Sequence, residues 1–198
     1  MTITSATRMT ADQFWDWCLL PENENRRYEL NRGRVVEVPS PGCLHGVVCG
    51  WVAHLLWGYV LSQGKGRVTT NDTGLLVTRS PDTLRGPDIM LFEQAHSIEQ
   101  LNPRYSDEVP RLVVEVRSPH DNFSRLMERI SQYLAHKVPL VWLVDPLERA
   151  ITVFRDQEFH RVLDESDLLT GNGVLPDLSI PIAQIFQLPG TSTGEVKS

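Results

Sequence analysis

Cysteine is scarce in this chain of 198 residues, and positive charge is outweighed. Cys18, Cys43 and Cys49 are odd in number and include no Cys-x-x-Cys pair. They read as reduced thiols, belonging neither to a disulfide framework nor to a zinc site. Uninterrupted apolar runs are short, so no membrane span is expected. The opening Met1-Thr-Ile-Thr-Ser-Ala-Thr-Arg8 lacks a secretory apolar core, which predicts a cytoplasmic protein. Lys and Arg number 19 against 25 Asp and Glu, a net charge of -6 with a pI near 5.5. That balance argues against a broad basic coat for nucleic acid. It leaves room for a nuclease, because acids gathered around a metal lower the total while arginines line a local groove. What is present is 41% hydrophobic content, enough for one core. A single domain over 1–198 is expected, with 1–8 and 188–198 as loose termini.

Two acids stand out within apolar stretches. Arg111-Leu-Val-Val-Glu-Val-Arg-Ser118 reads as a buried strand. Alternation puts Leu112, Val114 and Val116 on one face, and Val113, Glu115 and Arg117 on the other. A carboxylate inside a sheet needs a cation, a metal or a hydrogen-bond network. Upstream, Asp88 opens a second apolar strand in Arg85-Gly-Pro-Asp-Ile-Met-Leu-Phe92. Two strands that each bring an acid to one place suit a divalent metal. Taken alone, each residue has a plainer reading. Asp88 would end a turn, Glu115 would pair with an arginine, Glu29 would be an exposed hairpin residue, and Arg129 a solvated helix residue. His45 either touches the site or helps start a helix, the structural role being preferred.

The remaining chain supplies a scaffold for these acids. Thr10 and Gln13 form a capping-box pattern before a short helix to about Leu20, with Phe14, Trp17 and Cys18 on its apolar side. Residues 27–30 and 34–38 read as a hairpin with Gly33 in the turn. A long helix follows from His45 to about Gln63, with Val48, Val52, Leu55, Leu56, Tyr59 and Val60 as its stripe. Residues 68–70 and 74–78 are strand-like, Ser80-Pro-Asp82 is a turn, and 93–109 is a long connection. Asp121 or Asn122 caps a helix to about His136, with Phe123, Met127, Ile130 and Leu134 facing inward. With the apolar strand 140–144, this makes a parallel crossover. Residues 150–154 and 159–163 form an outer hairpin around Asp156-Gln157.

Four signals occur in order: Tyr-Glu-Leu at 28–30, Pro-Asp at 87–88, Val-Glu-Val-Arg-Ser-Pro at 114–119, and a helix leading into Val-Trp-Leu-Val-Asp-Pro at 141–146. Together they resemble the Uma-two family of endonucleases, within the PD-(D/E)XK nuclease superfamily. His45-Gly46 and the segment Val174-Leu-Pro-Asp-Leu-Ser-Ile-Pro-Ile182 strengthen the likeness, which runs from about Met9 to Leu188. The resemblance implies an α/β (α+β) restriction-endonuclease-like core, a central mixed β-sheet flanked by helices. It implies metal ligands Asp88 and Glu115, with Glu29 as a third acid, and Mg2+ or Mn2+ as the cofactor. It also implies a cationic group where the superfamily has lysine. The two matching positions are Arg117 and Arg129, and arginine cannot serve as a base. The expected activity is hydrolysis of DNA phosphodiesters, and the apolar helix and the need to cut two strands suggest a homodimer. The alternatives are a catalytically weakened relative that binds nucleic acid or a protein partner without cleavage, and an assembly module using the tryptophan-rich helix.

Overall fold

Two sheets share one stretch of chain, residues 83–92. The computed structural model describes residues 8–119, 121–155, 160–188 and 190. In chain order its elements begin α1 (Ala11–Cys18), β1 (Arg27–Asn31), β2 (Arg34–Val38), α2 (Cys43–Gln63), β3 (Arg67–Thr69) and β4 (Leu75–Thr78). Next come β5 (Thr83–Arg85), β6 (Ile89–Phe92), β7 (Leu112–Val116), α3 (Phe123–Ala135) and β8 (Val141–Asp145). The chain closes with β9 (Ala150–Phe154), β10 (His160–Leu163), β11 (Leu168–Thr170), β12 (Ser179–Pro181) and α4 (Ile182–Phe186). One sheet has the order β2-β1-β5-β4, the larger has β10-β9-β8-β7-β6-β3, and β11 pairs with β12. β7 and β8 run parallel, whereas β6 and β9 flank them antiparallel. The architecture is the expected mixed α/β one, a mixed sheet between helices.

Local chemistry explains the main elements. The capping box at α1 is formed: Gln13 N donates to Thr10 Oγ1 at 3.3 Å, and Thr10 N to Gln13 Oε1 at 2.9 Å. In the β1–β2 turn Arg32 and Gly33 have φ of 51° and 77°, a pair of left-handed residues that suits the twist of a two-residue hairpin. All five residues of β7 are buried, and the first four of β8. Such strands need no alternation because helices cover both faces.

On one face of the large sheet, Val48, Val52, Leu56 and Val60 of α2 meet Val114, Val116, Trp142 and Val144. On the other face, Leu126, Ile130 and Tyr133 of α3 meet Val113, Val141 and Leu143. Each such large apolar side chain contributes about 1.5–3 kcal/mol on burial. Ala11 and Phe14 of α1 pack with Leu30 and Leu84 in a separate core under the smaller sheet.

Three expectations change. Phe123 is 60% exposed, so α3 is turned from its predicted phase, with Leu126, Ile130 and Tyr133 inward and Met127 and Leu134 at the margin. That turn aims Arg129 at the sheet. Secondly, α2 is long and apolar enough, by length and composition, to cross a membrane. Short runs concealed this, because His, Gly and Ser interrupt a 21-residue helix that has no Asp, Glu, Lys or Arg. In the fold one stripe of it packs on the large sheet while Leu44, Val47, Trp57 and Leu61 stay exposed; Trp51 Nε1 donates to Gln184 O at 2.8 Å and Tyr59 OH to Pro176 O at 3.0 Å. Thirdly, β5 was not foreseen. The Asp156-Gln157 turn and most of the two terminal segments lie outside the described residues.

Candidate functional site

The link Gly86-Pro87-Asp88 carries the chain from β5 in one sheet to β6 in the other. The β6–β7 ladder ends at Ile89 opposite Val114. Two residues further along, Val116 N donates to Asp88 Oδ2 at 2.7 Å, so a side chain takes the place of the missing strand. The link packs tightly. A Cβ on Gly86 would lie 2.9 Å from Asp72 Cβ and 3.0 Å from Asp72 O, in the β3–β4 loop. Only glycine fits that approach.

Glu29 on β1 is 5% exposed, so it is no surface hairpin residue. Its Oε1 accepts from Gly86 N at 2.9 Å, and its Oε2 from Arg85 Nη1 at 2.8 Å. Arg129 on α3 joins the acids. Its Nη2 lies 2.9 Å from Glu115 Oε1 and 3.3 Å from Glu29 Oε1, and donates to Gly86 O at 3.0 Å. Tyr133, one helical turn on, donates to the same Glu115 oxygen at 2.6 Å. Burial, with help from the charge of Asp88, pushes the Glu115 carboxyl up to about 8 against the pull of Arg129. Arg85 Nε donates to Gln132 Oε1 at 2.8 Å, which ties the smaller sheet to α3.

Glu29, Glu115 and Arg129 therefore form one bonded group, and Asp88 adjoins it. Arg117 goes elsewhere: its Nη1 lies 2.6 Å from Asp145 Oδ2 at the end of β8. Asp145 also accepts from the backbone of Leu147 and Glu148, so it shapes that turn as well as ending the strand.

His45 is more than a helix-start residue. α2 begins two positions earlier, with Gly42 as its N-cap, and His45 Nε2 lies 3.2 Å from Asp88 Oδ1. That hydrogen bond holds the imidazolium and raises its pKa, against the opposing effect of burial. Cys49, one turn along, places Sγ 3.4 Å from His45 Nδ1. Cys49 was not singled out in the sequence as a site residue. The signal available was the His-x-x-x-Cys spacing on a helix, which puts both on one face.

The chain matches the family described as "Putative restriction endonuclease" (Uma2) over residues 11–183. It belongs to the Uma2 family. The crystal structure of "a putative nuclease belonging to DUF820 from Anabaena variabilis ATCC 29413" superposes with a TM-score of 0.75 at 22% identity. The match covers 90% of this chain and 97% of that one, and it establishes the shared fold. No curated protein matches the chain. Family and fold together support a nuclease-like role.

Restriction-endonuclease-like proteins generally use divalent metals, and the donor set of this Uma2 chain suits one. Among the described residues, Asp88 Oδ1 pairs with His45 and Glu115 Oε2 accepts no hydrogen bond. Asp88 and Glu115 feel each other's charge, and carboxylate oxygens are the hard donors such a cation takes.

Proposed function

We propose that this Uma2 protein is a divalent-metal-dependent endonuclease that hydrolyses DNA phosphodiester bonds. The observation that supports it best is the adjacency of Asp88 and Glu115 where β6 and β7 part, with Arg129 fixed beside them. Asp88 and Glu115 would hold Mg2+ or Mn2+, which when bound polarises a phosphate and lowers the pKa of water.

The chain's own residues do the remainder. Arg129 keeps its charge despite burial because Glu115, Glu29 and Asp88 surround it. It orients Glu115 and places a fixed positive charge where negative charge develops on phosphate. It cannot accept a proton from water, so the lysine role of the superfamily is divided here. Glu29, with both oxygens engaged, is a positioning residue for Arg85, Arg129 and the Gly86 link. Arg117, 39% exposed beside Asp145, would receive a neighbouring phosphate of the same strand.

A second reading, a nuclease fold that binds nucleic acid without cutting it, is favoured by one observation. Arg129 and Tyr133 both occupy Glu115 Oε1. Incubation of the purified chain with DNA separates the two. Cleavage in Mg2+ or Mn2+ that disappears in Asp88→Ala and Glu115→Ala supports the enzyme. Equal cleavage by all three proteins would overturn it, and salt-dependent binding with no cleavage would favour the second reading.

A further inference from the structure

The cysteine spacing predicted no thiolate metal site, yet the fold brings one cysteine to a histidine and an aspartate. The ligand atoms of His45, Cys49 and Asp88 all lie within 4.8 Å of one another. We propose that these three side chains form a binding site for one thiophilic divalent cation, of the zinc or cobalt class. This deepens the functional reading above and rests on it for Asp88 as a ligand, but either can fail without the other.

The geometry supports three-point ligation. Tetrahedral zinc, with bonds of about 2.0 Å to N or O and about 2.3 Å to S, sets its ligand atoms about 3.3–3.6 Å apart. Here His45 Nε2 and Asp88 Oδ1 are 3.2 Å apart, and Cys49 Sγ is 3.9 Å from the same Nε2. The elements holding them are firm. His45 and Cys49 are four residues apart on α2, whose buried stripe packs against the sheet, and Asp88 is pinned through its other oxygen to Val116 N. The side chains of His45 and Asp88 are 12% and 11% exposed, shielded but reachable by a small ion.

The chemistry selects the cation. A mixed N, O and S set favours zinc or cobalt over magnesium, which prefers oxygen and keeps its waters. Three protein ligands leave a fourth position open for water or a phosphate oxygen, the arrangement of catalytic rather than structural sites. A coordinated thiol loses its proton outright. Thiolate character at Cys49 therefore reports the bound ion. Cys43 is exposed and Cys18 belongs to α1, so both serve as controls.

The test uses the full chain, stripped of metal and kept reduced, titrated with Co2+. A thiolate-to-cobalt charge-transfer band in the near ultraviolet should grow and saturate at one ion per chain. Zn2+ should abolish it by displacement, and excess Mg2+ should not. Cys49→Ser should lose the band while Cys43→Ser keeps it, and His45→Ala should lose the visible bands of tetrahedral cobalt. Glu115→Gln should retain the thiolate band. Should Cys49→Ser not fold, protection of Cys49 from alkylation by Zn2+ in the unaltered protein gives the same answer. Absence of the band at saturating Co2+, or its persistence in Cys49→Ser, overturns the proposal. Cobalt binding lost in Glu115→Gln but kept in Cys49→Ser also overturns it, while leaving the carboxylate-pair reading intact.

Discussion

Arg129 and Glu115 are joined at 2.9 Å, and the same guanidinium nitrogen reaches Glu29 at 3.3 Å. One cation from α3 thus holds acids from both sheets. In the metal-free protein it neutralises charge that a metal would otherwise share.

Removal of that cation leaves buried Glu29 short of a partner, and Glu115 as well once it ionises above about pH 8. Arg129→Met should destabilise the fold by about 3–5 kcal/mol, the range for breaking a buried ion pair from one side. Urea unfolding measures this. Adding Glu115→Gln to Arg129→Met should restore part of the loss, because residues in contact are not additive. Strict additivity would contradict the coupling seen here.

The Glu115 carboxyl sets a pH dependence. Its folded pKa, about 8, stands above the ordinary 4.5. Between those values the native state holds a proton that the unfolded state releases. This contribution is therefore complete below about pH 4.5 and is lost as pH rises through about 8. Thermal melts of the metal-free chain across that window should show Glu115→Gln with a flatter profile than the unaltered protein.

Gly86→Ala tests the tight link between the sheets. The new Cβ would meet Asp72 Cβ at 2.9 Å, so the link must shift. A cost of about 1–3 kcal/mol is expected for such overpacking. Because Gly86 N–H bonds Glu29 and its carbonyl bonds Arg129, metal affinity should fall as well. Melting and Mn2+ titration of one preparation check both effects.

The crossover β7–α3–β8 was legible because its strands are continuous apolar runs around a helix of ordinary length. Glu115 was legible as an acid within such a strand, and Asp88 as one just ahead of another. The phase of α3 was not. Two apolar faces overlap at Ile130, and the choice between them turns on Tyr133, whose hydroxyl donates to Glu115. β5 was hidden because its three residues sit between Pro81 and Pro87. The meeting of His45 and Cys49 with Asp88 joins positions some forty residues apart, and no local pattern carries that distance. Glu29 was ambiguous because its partners, Arg85 and Gly86, come from a strand that local patterning did not reveal.

The central claim is that Asp88 grips a divalent cation. Asp88→Asn keeps an oxygen for Val116 N–H, so the fold should survive with little change in melting temperature. Calorimetric titration with Mn2+ should then show one site in the unaltered chain and none in Asp88→Asn. Equal Mn2+ binding by both folded proteins would contradict the account.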